Sequence, residues 1–114
     1  MVVDDQVYNI DAILSLLHFK YKLNLDFVDR AENGQMAYDQ FMADFFQNQG
    51  ISSYGLILMD CNMPFMDGYT ACNKIRNFLH EKANLGIRAQ PVISAVTGQT
   101  EKIYVRQCII SGMN

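Results

Sequence analysis

Long apolar runs, clusters of basic residues, paired cysteines and low-complexity linkers are all missing from this 114-residue chain. No apolar stretch approaches the ~20 residues needed to cross a bilayer, and the N-terminus lacks a signal-peptide layout. The nine Lys and Arg residues are scattered among twelve Asp and Glu, giving a net charge of −3. A nucleic-acid surface needs a basic stripe, so that class is excluded. Cys61, Cys72 and Cys108 are odd in number and form neither a C-x-x-C nor a Cys/His metal pattern. They read as reduced, partly buried thiols of a cytoplasmic protein, and the lack of a membrane-length apolar stretch leaves no membrane contact expected in this domain. Cys61 adjoins Asp60 and is a candidate oxidation site, weighed against the commoner packing role. With no repeat or linker and half its residues apolar, the chain is expected to fold as one domain around a single core.

What is present centres on Leu56–Gly68, reading Leu-Ile-Leu-Met-Asp-Cys-Asn-Met-Pro-Phe-Met-Asp-Gly. The apolar run Leu56–Met59, bounded by Tyr54-Gly55 and Asp60, suits a strand buried on both faces. Pro64 biases Met63 away from helix and Asp67-Gly68 is a turn pair, so Asp60 stands where a strand gives way to a loop. In open α/β sheets that rim is where ligands bind.

In chain order, Val2-Val3 before Asp4-Asp5 predicts a short first strand. Val7, Ile10, Ile13, Leu14, Leu17 and Tyr21 predict a helix over Gln6–Tyr21. Leu25, Phe27 and Val28 suggest a second strand within Asn24–Asp29. Asn33-Gly34 opens a second helix with Met36, Ala37, Phe41 and Phe45 on one face. Leu56–Asp60 is the third strand, and Tyr69, Cys72, Ile75 and Leu79 mark a third helix. A polar loop, His80–Gln90, leads to a fourth strand, Pro91–Thr97. Thr100 is a candidate N-cap for a fourth helix with Val105, Cys108 and Ile109 inward and Gly112 at its end. Strict β-α alternation predicts a doubly wound parallel sheet.

With strand order 2-1-3-4, the polar ends of strands 1, 3 and 4 converge: Asp4-Asp5, Asp60 and Thr97. Carboxylates so gathered raise one another's pKa unless a cation joins them, and an all-oxygen set suits Mg²⁺. Asp60 could then act as a nucleophile toward a phosphoryl group, with Thr97 donating to a phosphoryl oxygen.

The chain resembles the receiver domains of two-component response regulators. Val2-Val3-Asp4-Asp5 is similar to the family's first-strand acid pair, and Ala31-Glu32-Asn33-Gly34 with Ala37 to its second loop and helix start. Leu56–Gly68 resembles the phosphoacceptor segment and Pro91–Gly98 the fourth strand with its hydroxyl. The resemblance covers essentially all 114 residues and implies a flavodoxin-like fold of order 2-1-3-4(-5). It implies Asp60 as phosphoacceptor, and Asp5, Asp60 and the backbone carbonyl of Asn62 as Mg²⁺ ligands, with Asp4 acting mostly through water. Thr97 would contact the phosphoryl group. A histidine kinase or histidine phosphotransfer domain is the implied partner, and Tyr69–Arg76 resembles receivers joined to hybrid sensor kinases.

The family's Lys, fifth strand and fifth helix would fall beyond Asn114, so the sequence reads as a receiver ending after its fourth helix. Lys102, in the fourth helix, is no substitute for that Lys. The outer edge of strand 4 is then expected to stay open and to invite self-association.

Two other classes compete. A phosphatase or phosphotransferase with an aspartyl nucleophile wants an acid two residues later, where this chain has Asn62. A pseudo-receiver would serve only as a protein-binding scaffold, although it would have little use for the acids and hydroxyl kept here. The expectation is therefore a phosphoacceptor module, not a free-standing enzyme.

Overall fold

A computed structural model describes residues 1–82 and 90–114. Four strands, β1 (Val2–Val3), β2 (Arg30–Ala31), β3 (Leu56–Asp60) and β4 (Val92–Val96), pair in parallel in the order β2-β1-β3-β4. Among the described residues four α-helices alternate with them: α1 (Val7–Tyr21), α2 (Gly34–Gln47), α3 (Gly68–Asn77) and α4 (Lys102–Ile110). The doubly wound parallel sheet expected from the alternation is the one observed, in the flavodoxin-like order that the family resemblance implies.

The pleat divides the core in two. Val2 and Leu58 face α1, where they meet Ile10 and Leu14. Val3, Ile57 and Met59 face the other way, into the larger cluster with Ala37, Phe41 and Phe45 of α2 and Cys72 and Ile75 of α3. Successive strand residues point to opposite faces, so a strand covered on both sides is apolar throughout, which is why β3 carries no alternation. Most of these side chains are fully buried, each contributing about 1.5–3 kcal/mol of hydrophobic stabilisation.

Several boundaries differ from the sequence expectation. Leu25–Phe27 forms a 3₁₀ turn, and the second strand lies later, at Arg30–Ala31. The Asn24 side chain accepts a hydrogen bond from the Asp26 backbone N–H, which holds the turn. Phe27 is exposed, while Leu25 and Val28 pack under α1. The ladder to β1 runs instead through the carbonyls of Asp29 and Ala31, which accept from the N–H groups of Val2 and Asp4. Met36, expected inward, is exposed on α2.

His80–Lys82 belongs to a π-helical turn, Phe78–Lys82, that continues α3 and carries Leu79 into the core; the rest of the expected polar loop, residues 83–89, lies outside the described residues. The N-cap of α4 is Glu101 rather than Thr100 and makes no side-chain cap. Of the three residues expected inward on α4, only Cys108 is buried; Val105 and Ile109 are exposed. Gly112 does end α4: its φ of 93° is left-handed, and Met113 N–H reaches Cys108 O while Gly112 N–H reaches Ile109 O. Those two bonds are the Schellman pattern.

The outer edge of β4 is less open than expected. Asn114 N–H donates to Ile93 O at 2.8 Å and its side-chain oxygen accepts from Ile93 N–H at 2.9 Å. Arg76 anchors this end, donating to Gly112 O, Pro91 O and the Asn114 side chain.

Candidate functional site

Strand register brings the polar ends together. Val3 pairs with Met59, and Asp60 with Val96, so Asp4 and Asp5 emerge beside Asp60, and Thr97 just past its partner. Asp4, Asp5 and Asp60 each offer an oxygen within 4.8 Å of the others. They line a cleft of about 420 Å³ with Gln6, Asn9, Ala12, Ile13, Val96, Thr97 and Gly98. No Lys or Arg lies among these lining residues, and Lys102 borders a separate groove with Val105 and Ile109.

Each acid is held differently. Asp4 is buried, and its carboxylate accepts from Gln6 N–H at 2.8 Å and from the Asn9 amide at 3.1 Å on both oxygens. It therefore anchors the first turn of α1, whose N-cap Gln6 supplies no side-chain cap of its own. Asp5 is more exposed and accepts from the Gln6 side chain at 3.1 Å. Asp60 is half-buried, and burial raises its pKa above the ordinary carboxylate value, helped by the charges of Asp4 and Asp5. The backbone N–H groups of Asn62 and Cys61 oppose that rise by hydrogen bonding to it. A carboxylate strained by its neighbours' charge wants a cation, and three clustered carboxylate oxygens fit a hard divalent ion.

Thr97 Oγ1 accepts from Gln99 N–H at 3.2 Å, leaving its proton to donate. Asn62 is exposed, and its amide donates to Gln99 Oε1 at 3.0 Å; it is not among the residues lining the cleft. Asn9, Gln6 and Gln99 were not marked by sequence reasoning. Asn9 has a legible signal, since position five after an acid on a helix's first turn can face back to it; Gln99 has none.

Two glycines set the loop behind Asp60. A Cβ on Gly68 would lie 2.0 Å from Asp60 O, so α3 starts hard against the end of β3. A Cβ on Gly34 would lie 2.5 Å from Met66 O, to which the Gly34 N–H donates at 2.9 Å. Asp67 caps α3 by accepting from Thr70 N–H at 2.7 Å. Phe65 sits at the loop's crest, 96% exposed with a left-handed φ of 65°.

The sequence matches the family described as "Response regulator receiver domain" over residues 1–114. It is 31% identical over 114 residues to hybrid signal transduction histidine kinase M of Dictyostelium discoideum, covering all of this chain and 4% of that protein. The fold is similar to the receiver domain of the Arabidopsis thaliana histidine kinase CKI1 complexed with Mg²⁺ and BeF₃⁻, with TM-score 0.80 and 26% identity. That likeness covers 98% of this chain and 74% of the other. It is also similar to the co-crystal structure of the Saccharomyces cerevisiae histidine phosphotransfer protein Ypd1 with the receiver domain of Ssk1, with TM-score 0.72 and 29% identity. There the coverage is 99% of this chain and 72% of the matched one.

Proposed function

The chain belongs to the response regulator receiver domain family, and from that premise we propose that it takes a phosphoryl group from a partner's phosphohistidine onto Asp60. The observation that carries this is the convergence of Asp4, Asp5 and Asp60 within 4.8 Å, at the rim where Thr97 also emerges. The Asp60 carboxylate attacks phosphorus, the P–N bond of the phosphohistidine breaks, and the imidazole leaves with its electron pair and takes up a proton. An acyl phosphate on Asp60 results. The backbone N–H groups of Cys61 and Asn62 fix the attacking carboxylate, and Thr97 donates its hydroxyl proton to a phosphoryl oxygen.

Asp5, Asp60 and the Asn62 carbonyl would hold Mg²⁺, with Asp4 acting through water. The ion would offset the charge of the carboxylates and of the incoming phosphate. The CKI1 receiver complexed with Mg²⁺ supports the metal, and the Ypd1–Ssk1 complex supports a histidine phosphotransfer domain as partner. The domain is read as a cytoplasmic signalling module rather than a free-standing enzyme, and the exposed side of β4 as a surface through which copies associate. Among the described residues no helix is long and apolar enough to cross a membrane.

Acetyl phosphate, a small acyl-phosphate donor, tests the chemistry without the partner. Hydroxylamine-sensitive phosphate should be incorporated in Mg²⁺, and not in EDTA or by Asp60→Asn. Asp39→Asn, on the exposed side of α2, should behave as wild type. Phosphate on Asp60→Asn at the wild-type rate would overturn the assignment, and total inertness of the wild type would favour a phosphorylation-independent scaffold.

A further inference from the structure

Behind the phosphoacceptor lies a pair of buried thiols that phosphoryl transfer does not use. Cys61, the residue after Asp60, and Cys108 of α4 are both buried, with their sulfurs 3.7 Å apart. Both are fixed through their backbones. Cys61 O accepts from Gly68 N–H at 3.1 Å, and Cys108 O accepts from Met113 N–H at 3.0 Å and Ser111 Oγ at 2.7 Å. Each sulfur is thus presented by a defined turn, and closing the gap to the roughly 2.05 Å of a disulfide asks for side-chain rotation and a small shift of one helix. Of the two elements α4 has the fewer core anchors, since Cys108 is its one buried residue.

The Tyr69 hydroxyl gives a further pointer. It is buried, makes no hydrogen bond of ordinary geometry, and has the Cys61 and Cys108 sulfurs as weak neighbours. A buried hydroxyl that meets only weak sulfur acceptors is poorly satisfied, and an oxygen added to either sulfur would supply a stronger acceptor for it.

We propose that Cys61 and Cys108 are a redox-reversible dithiol that, on oxidation by a hydroperoxide, closes into a disulfide latching α4 to the end of β3. Cys108, 9% exposed against 0% for Cys61, takes the first step: its sulfur attacks the peroxide, the O–O bond breaks, and a sulfenic acid and water (or alcohol) form. The Tyr69 hydroxyl donates to the sulfenic oxygen. The Cys61 sulfur then displaces that oxygen as water, forming the S–S bond. In sum two thiols and one hydroperoxide give one disulfide, one water, and a second water or alcohol. A thiol reductant reverses it. The closed latch ties the residue beside Asp60 covalently to a helix otherwise anchored in the core by Cys108 alone, and so fixes α4 against the phosphoacceptor strand.

The test treats the full chain with hydrogen peroxide, quenches, denatures and labels free thiols with a maleimide. One label, at Cys72, is expected on the oxidised protein and three after dithiothreitol. A cross-linked Cys61–Cys108 peptide and unchanged monomer mass apart from loss of two hydrogens should accompany it. Cys72→Ser should still close. Cys108→Ser and Cys108→Ala, at the less covered position, should not. Amide exchange over residues 102–110 should slow on the order of tenfold on closing. Three reactive thiols after treatment, sulfinic acid without the cross-link, or a bridge to Cys72 would each overturn the proposal. Asp60→Asn, which takes no phosphate, should still close its latch, so closure is read independently of the phosphoacceptor assignment.

Discussion

Asp60 is destabilising when charged and alone, because burial and then the Asp4 and Asp5 charges raise its pKa. The folded state binds its proton more tightly than the unfolded chain, so stability falls as pH rises from about 3.8 through the raised folded value. At neutral pH without metal that cost is fully present. Asp60→Asn should therefore raise the metal-free melting temperature, with the gain vanishing below pH 3.8. Calorimetry across pH checks it; an equal gain at low pH would assign the effect to packing. Asp5→Asn should weaken the stabilisation that millimolar Mg²⁺ gives the wild type. Gly68→Ala carries a different risk, since its Cβ would sit 2.0 Å from Asp60 O. A loss on the order of 3 kcal/mol is expected from urea unfolding, together with impaired phosphate uptake.

Between elements, the turn from α2 into β3 hangs on Asp44. Its carboxylate accepts from Ser52 Oγ and Ser53 N–H at 2.8 Å, Asn48 Nδ2 at 2.7 Å, and the Ser53 hydroxyl. Burial would push its pKa up, but these donors outweigh it and the pKa is lowered. Its stabilisation is present above the unfolded value and lost as pH falls through the folded one. Asp44→Ala should cost about 1–2 kcal/mol in urea unfolding at pH 7, a cost that shrinks as the pH is taken below 3.8 toward the lowered folded value.

Elements were legible in the sequence where one physical signal dominated. Leu56–Met59 had to be a doubly covered strand, and Asp60 at its end marked the site together with the acids after Val3. Where signals competed, propensity misled. Leu25, Phe27 and Val28 look like a strand, yet the Asn24 cap makes a turn and leaves the ladder to Asp29–Ala31. On α4, apolar Val105 and Ile109 face outward because the core on that side takes only Cys108. The contact of Cys61 with Cys108 spans 47 residues and depends on how α4 settles, which no local spacing encodes.

At the scale of the molecule, the chain spans 4% of the length of the Dictyostelium kinase it matches, so its place in a phosphorelay rests on the proposal above. Its edge strand β4 keeps Val92 exposed, while Ile93 is already engaged by Asn114. Copies that pair along that edge should show concentration-dependent sedimentation, weakened by Val92→Lys, a charge that blunts edge pairing. A monomer at all concentrations would remove self-association from the account.

The central claim is that Asp60 carries the phosphoryl group, and borohydride trapping addresses it most directly. After reaction with acetyl phosphate and Mg²⁺, reduction converts an acyl-phosphorylated aspartate to homoserine, and peptide mass spectrometry locates it. Homoserine at position 60, absent without Mg²⁺, is the expected result; homoserine at position 4 or 5, or none despite incorporated phosphate, would contradict the assignment.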